Sequence, residues 1–165
     1  MSTYAIVRND DTVSIMQLLE SSDPHAEIAK WPEEDQKTVA RVFEVQVDTL
    51  PFSRTFRNAW RFKDGKITID LEAAKQLKMQ TIRNIRDEQL RALDRVFMFA
   101  IERNDSNALL QIRNRKQELR NLPDTDVFAG ISDLDELENF LPAILTGENF
   151  ANFVKGGTSY EEERL

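Results

Sequence analysis

The side chains able to do chemistry fall into three groups: one histidine, one acidic cluster and one run of arginines and lysines. A histidine base needs a nucleophile or carboxylate held beside it. No Ser, Asp or Glu stands at a motif spacing from His25, the only histidine, and Pro24 ahead of it suits the first turn of a helix. His25 therefore reads as a surface residue at a helix start. Asp124, Asp126, Asp133, Asp135, Glu136 and Glu138 offer oxygen to a hard cation. They lack the placed glycine and closing glutamate of an EF-hand loop, and acids in a helix's first turn already serve its dipole. Arg83, Arg86, Arg91, Arg95, Arg113, Arg115, Lys116 and Arg120 suit phosphate in type, but the chain carries a net charge of −7. With Asp87, Glu88, Asp94 and Glu118 among them, they read instead as ion-pairing partners. No glycine-rich phosphate loop and no nucleophile elbow occurs. The expectation is a protein that is not an enzyme, with no catalytic residue, no cofactor and no metal.

Composition narrows the class further. Cysteine is absent, so no disulfide framework or thiolate site exists. The opening Met1-Ser2-Thr3-Tyr4 has neither the basic region nor the apolar core of a secretory signal. No apolar run approaches the roughly 18 residues of a membrane span. A soluble, cytoplasmically assembled protein is expected, with no membrane partner. The charge is unevenly placed: net −3 over residues 1–70, +4 over 71–122 and −8 over 123–165. An acidic tail beside a basic hairpin suggests contact between them, within or between subunits, and the overall acidity argues against nucleic acid.

The elements that must position any site follow from the apolar pattern. Tyr4–Arg8 and Thr12–Met16 read as strands joined by the turn residues Asn9-Asp10-Asp11. A short helix runs from Pro24 to about Lys30. The alternation of Phe43, Val45 and Val47 against Glu44 and Gln46 predicts a half-buried strand over Val42–Val47. Phe56–Phe62 and Lys66–Ile69 flank Asp64-Gly65, a tight hairpin signal. Such an antiparallel module covers one face and leaves the other wet. One long helix then spans Asp70–Arg103 without Pro or Gly, capped by Asp70. Its apolar stripe runs through Leu71, Ala74, Leu77, Ile82, Ile85, Leu90, Leu93, Val96, Phe97, Ala100 and Ile101. Asp105 or Ser106 caps a second helix to about Leu122, with a thin stripe of Leu109, Ile112, Leu119 and Leu122. Ser132-Asp133-Leu134-Asp135 resembles a capping box for a short helix over Asp133–Leu141, ended by Pro142. The fold class expected is α+β: a small antiparallel β module (1–70), a long helical hairpin (71–122), and a short acidic C-terminal helix with tail (123–165).

Unequal helix lengths point to a partner. The second helix spans about 23 Å of a first helix of about 50 Å, at about 1.5 Å per residue. Leu71, Leu77, Met79, Ile82 and Ile85 continue along the remainder and need the β module, the tail or a second copy of the chain. Of the aromatics Trp31, Phe52, Phe56, Trp60, Phe62, Phe140, Phe150 and Phe153, we assign Phe56, Trp60 and Phe62 to the core. Phe150 and Phe153 join the partner interface, which makes a homo-oligomer the expected state.

Three ordered stretches carry a resemblance. They are Arg54-Thr55-Phe56-Arg57-Asn58-Ala59-Trp60, then Leu93-Asp94 through Ala100, Glu102 and Asp105, then Ile112 with Lys116-Gln117-Glu118-Leu119-Arg120 before Pro123. In this order, over roughly Phe43–Leu141, the sequence resembles a family of small tailed-bacteriophage proteins encoded close to tail and tail-fibre genes. The resemblance implies a virion-tail protein that attaches or organises fibres, made in the host cytoplasm, with other tail or tail-fibre proteins as partners and a trimer to match trimeric fibres. The alternative it leaves open is a tail-fibre assembly chaperone absent from the mature virion. It brings no catalytic residues.

Overall fold

Two turns whose residues tolerate positive φ, at Asp11 and at Asp64-Gly65, each close one of the two N-terminal hairpins. The computed structural model describes residues 1–19, 21–51, 53–124 and 126–146. These form a mixed α+β chain, with a small antiparallel sheet followed by a long helix pair and a short C-terminal helix. Two compact units make it up, Met1–Leu77 and Lys78–Leu165.

In the first unit β1 (Ser2–Arg8) pairs antiparallel with β2 (Val13–Leu18), from Ser2–Leu18 to Val7–Val13. The connection turns at Asp11, whose φ is 62°, and the Arg8 N–H donates to the Thr12 carbonyl at 2.9 Å. Asp10 locks this loop by accepting from the Thr12 hydroxyl (2.6 Å) and the Thr12 N–H (3.1 Å). The hydroxyl bond, then the amide bond, hold the Asp10 carboxyl below its ordinary value. Short helices α1 (Pro24–Ile28) and α2 (Glu33–Gln36) follow, with Asp23 capping α1 through the His25 N–H. β3 (Val39–Glu44) then returns to the other side of β1, giving the order β2-β1-β3.

The alternation at Phe43 and Val45 is seen, but the strand stops at Glu44 and Val47 is 52 % exposed in a 3₁₀ turn. The reason lies in the register. Glu44 pairs with Tyr4 and the Val45 N–H bonds the Thr3 carbonyl, so by Val47 the partner strand has run out. The sheet also departs from the expectation of one wet face. Ala5 and Val7 are buried on one side of β1 and Ile6 is 1 % exposed on the other, so this central strand is covered on both.

The expected strand over Phe56–Phe62 begins only at Trp60. Arg57–Ala59 form a 3₁₀ turn, and β4 (Trp60–Lys63) pairs with β5 (Lys66–Ile69). Asp64 and Gly65 both have positive φ (52° and 80°), the geometry of a two-residue primed turn whose twist matches its strands. Ala5, Val7, Val13, Leu50 and Trp60 form a core, with Ile15, Phe43, Val45, Phe62, Ile67 and Ile69 packed against it.

α3 (Leu71–Glu102) starts within this unit, where the Asp70 carboxylate accepts from the Ala73 N–H at 3.0 Å. Its far end belongs to the second unit and closes on Asn104, φ 54°. There the Asn104 N–H reaches the Ile101 carbonyl and the Asp105 N–H reaches Ala100, satisfying carbonyls the helix leaves orphaned. Asp105 then caps α4 (Ser106–Asn121) by accepting from the Ala108 N–H at 2.9 Å. Leu93, Ala100, Ile112 and Leu119 are buried. Ile101, placed in the stripe by its sequence, is 44 % exposed, because one residue beyond buried Ala100 it has turned about 100° around the helix. α5 (Leu134–Asn139) is shorter than expected at its C-terminal end. Asp133 caps it, accepting from the Asp135 and Glu136 N–H groups, in place of a Ser132 capping box.

Leu119→Ala should lower unfolding free energy by about 2–5 kcal/mol, the cost of a cavity at a fully buried leucine. The Cβ of Gly65→Ala meets no atom within 4 Å, so only its left-handed backbone opposes it. That change should cost about 1–2 kcal/mol. Urea midpoints of the two variants check both values.

Candidate functional site

The seven residues Arg54–Trp60 sort by burial at three- and four-residue steps. Phe56, Ala59 and Trp60 are 1 %, 0 % and 2 % exposed, while Arg54, Thr55, Arg57 and Asn58 face outward. A 3₁₀ turn has this spacing and a strand does not. Arg61 fastens the turn by donating from Nη1 to the carbonyls of Asn58 (3.1 Å) and Trp60 (2.9 Å). The Asp70 N–H fastens it from the other side at the Ala59 carbonyl, 2.9 Å away.

This segment forms one wall of a groove of about 340 Å³ lined by Val13, Ile15, Gln17, Arg54, Arg57 and Trp60. The opposite wall is β2, whose alternate residues enter it. Ile15 supplies apolar surface, and beneath it lies the Trp60 ring, 2 % exposed, with the Arg54 guanidinium carbon 5.5 Å from its centroid. Neither Arg54 nor Arg57 has a carboxylate partner among the described residues. The chemistry on offer is a hydrophobic floor with two cationic, bidentate donors at the rim, suited to a carboxylate carried on an extended or aliphatic group.

The five helix residues proposed from sequence as a partner interface are divided between the units. Leu71 and Leu77 lie in the first; Met79, Ile82 and Ile85 lie in the second. Leu71, Leu77, Met79 and Ile85 are half-buried, and Ile82 is 1 % exposed within a single chain. Of the three coverings the sequence leaves open, the C-terminal segment supplies contacts along α3. Lys78 Nζ donates to the Glu138 carbonyl at 2.7 Å, and Gln89 Nε2 to the Leu145 carbonyl at 3.1 Å. Arg115 Nη2, on α4, donates to the Ile144 carbonyl. Phe150 and Phe153, like Phe52, lie outside the described residues.

The basic residues of the hairpin divide in the same unit. Lys116 pairs with Asp94 at 2.5 Å and lies 4.8 Å from the Phe97 ring centroid. Arg86 pairs with Asp87, Arg115 with Glu118, and Arg113 stacks on Phe97 at 5.7 Å. The acidic cluster does not converge: among the described residues no three His, Asp or Glu side chains could share a metal ion. His25 is exposed. No described helix is long and apolar enough to cross a membrane.

Comparison with protein families, with characterised proteins and with solved structures gives no match. The groove therefore stands on its geometry. Its two walls come from residues 13–17 and 54–60, a juxtaposition that only the fold creates. The one sequence signal was the pair of arginines bracketing Phe56. Sequence reasoning also missed Met98, Phe99 and Leu110, which are 57 %, 54 % and 59 % exposed near the hairpin tip.

Lys78 gives a test of the C-terminal packing. Burial pushes its ammonium below the ordinary 10.5, against the opposing pull of Glu138. Between the lowered folded value and 10.5 the unfolded chain holds more protons, so stability contributed at this site rises with pH across that window. The stability difference between wild type and Lys78→Met should therefore shift in favour of wild type from neutral pH to pH 10. Urea titrations at both ends decide it, and an unchanged difference would contradict the burial.

Proposed function

We propose that this chain is a non-enzymatic structural component of a bacteriophage tail that helps attach or organise tail fibres by docking on other tail or fibre proteins. The observation that carries the reading is the double role of Arg54–Trp60. The run that anchors the resemblance is also the run that builds the groove, with its apolar members inward and its arginines displayed. A surface of this kind suits protein docking. Self-association, as a trimer matching trimeric fibres, belongs to the same proposal. Leu71, Leu77, Met79 and Ile85 remain the helix residues offered to a second copy, whereas Ile82 is taken up by its own chain.

Mass spectrometry of purified particles of the encoding phage should find the chain at a fixed copy number relative to the fibres. Its presence in lysates and absence from particles would replace this reading with that of an assembly chaperone. Light scattering should give a mass above one chain for wild type and a lower mass for Ile85→Asp. A monomeric wild type would remove the self-association part.

A further inference from the structure

β2 is an edge strand of an unusual kind. The hairpin closes through the Arg8 N–H and the Thr12 carbonyl, so in the antiparallel ladder Ser14, Met16 and Leu18 turn their backbone groups toward β1. Val13, Ile15 and Gln17, the three residues of β2 that line the groove, turn theirs outward. β4 meets this side only at its beginning, through the Thr12–Arg61 bridge and the Phe62 N–H bonded to the Asp11 carbonyl at 3.1 Å. Beyond that bridge no strand pairs with it among the described residues.

Natural sheets blunt their open edges with charges, prolines or bulges. The other edge, β3, follows this rule: it carries Arg41 and Glu44, and its register breaks opposite Val7 and Arg8. β2 reads Val-Ser-Ile-Met-Gln-Leu, with no charge and no proline. An unguarded edge beside a pocket, faced by two arginines with no carboxylate partner among the described residues, has the form of a strand-addition site.

We propose that the groove between β2 and Arg54–Trp60 binds an extended, acidic segment of a partner protein as an added strand. Its backbone pairs with the outward groups of Val13, Ile15 and Gln17. Alternate side chains enter the groove, where carboxylates meet Arg54 and Arg57 and aliphatic carbons rest on Ile15. Charge chooses the occupant: two displayed guanidinium groups select acidic over basic strands. The groove is the one on which the docking role above rests, and peptide binding tests this occupant whether or not the chain is found in particles.

The test is fluorescence anisotropy on the full chain with a labelled, terminally blocked heptapeptide of alternating glutamate and threonine. The same peptide with lysine for glutamate is the control. The acidic peptide should bind and the basic one should not. Arg57→Glu and Arg54→Glu, both at exposed positions, should each weaken binding at least tenfold with unchanged thermal melts. Two further peptides, N-methylated on the glutamates or on the threonines, should differ, because only one set faces β2. Equal binding of acidic and basic peptides, no binding of either, or indifference to both arginine changes would overturn the proposal. Equal affinity of the two methylated peptides would overturn the added strand. Self-association that Arg57→Glu abolishes would give the groove to a second copy and overturn the assignment to a partner.

Discussion

The burial of Trp60 is the interaction on which the first unit depends. The indole packs with Ala5 and Val7 of the central strand, Val13 of the edge strand and Leu50 of the connection. It thereby helps join the three-stranded sheet to the two-stranded hairpin, which also meet at the Thr12–Arg61 bridge and where Phe43 packs on Phe62. A fully buried large aromatic can supply this because its area is large and its rotamers are few. The same placement fixes the course of residues 54–59, since Phe56 and Ala59 are buried along with it. The arginines are displayed because their neighbours are held.

The second unit is held differently. Residues 126–146 hold one short helix, α5, and one 3₁₀ turn, and their apolar side chains Phe128, Ile131, Leu137 and Leu145 are buried. Phe128 and Phe140 meet edge to face at 5.8 Å. Burying irregular backbone leaves carbonyls in need of donors. Lys78, Gln89 and Arg115 supply them from the helical hairpin, at Glu138, Leu145 and Ile144. Three long polar side chains of the hairpin thus satisfy carbonyls of the segment packed beside them, and one of them, Arg115, belongs to the basic run that the sequence suggested for ion pairing.

Local chemistry made much of this fold readable. Asp64-Gly65, Asp70 and Asp105 act within a few residues of themselves, so their sequence context is their structural context. The end of β3 was not readable, because it is set by where β1 runs out and not by the continuing alternation at Val47. Phe56–Ala59 misled for a related reason: aromatic and apolar content suggested a strand, while the spacing of buried positions is that of a tight helical turn. The groove was hidden but for the two arginines bracketing Phe56, since β2 shows nothing unusual until its open side is known.

The way β3 is attached has a consequence for the chain's tolerance of change. β3 reaches β1 across the 20 residues that separate it from β2. Fastenings at the end of that path hold it: Arg8 to the Thr38 hydroxyl at 2.5 Å, and Asn9 to the carbonyls of Thr38 and Lys37 at 2.8 and 2.9 Å. Closure entropy grows only with the logarithm of loop length, so doubling such a connection costs about 0.6 kcal/mol. Ser21 is exposed on this path, ahead of the Asp23 cap and far in sequence from the fastenings. A label or an extra module inserted there lengthens a path whose two ends are already secured, and leaves the register of the sheet to the residues that set it.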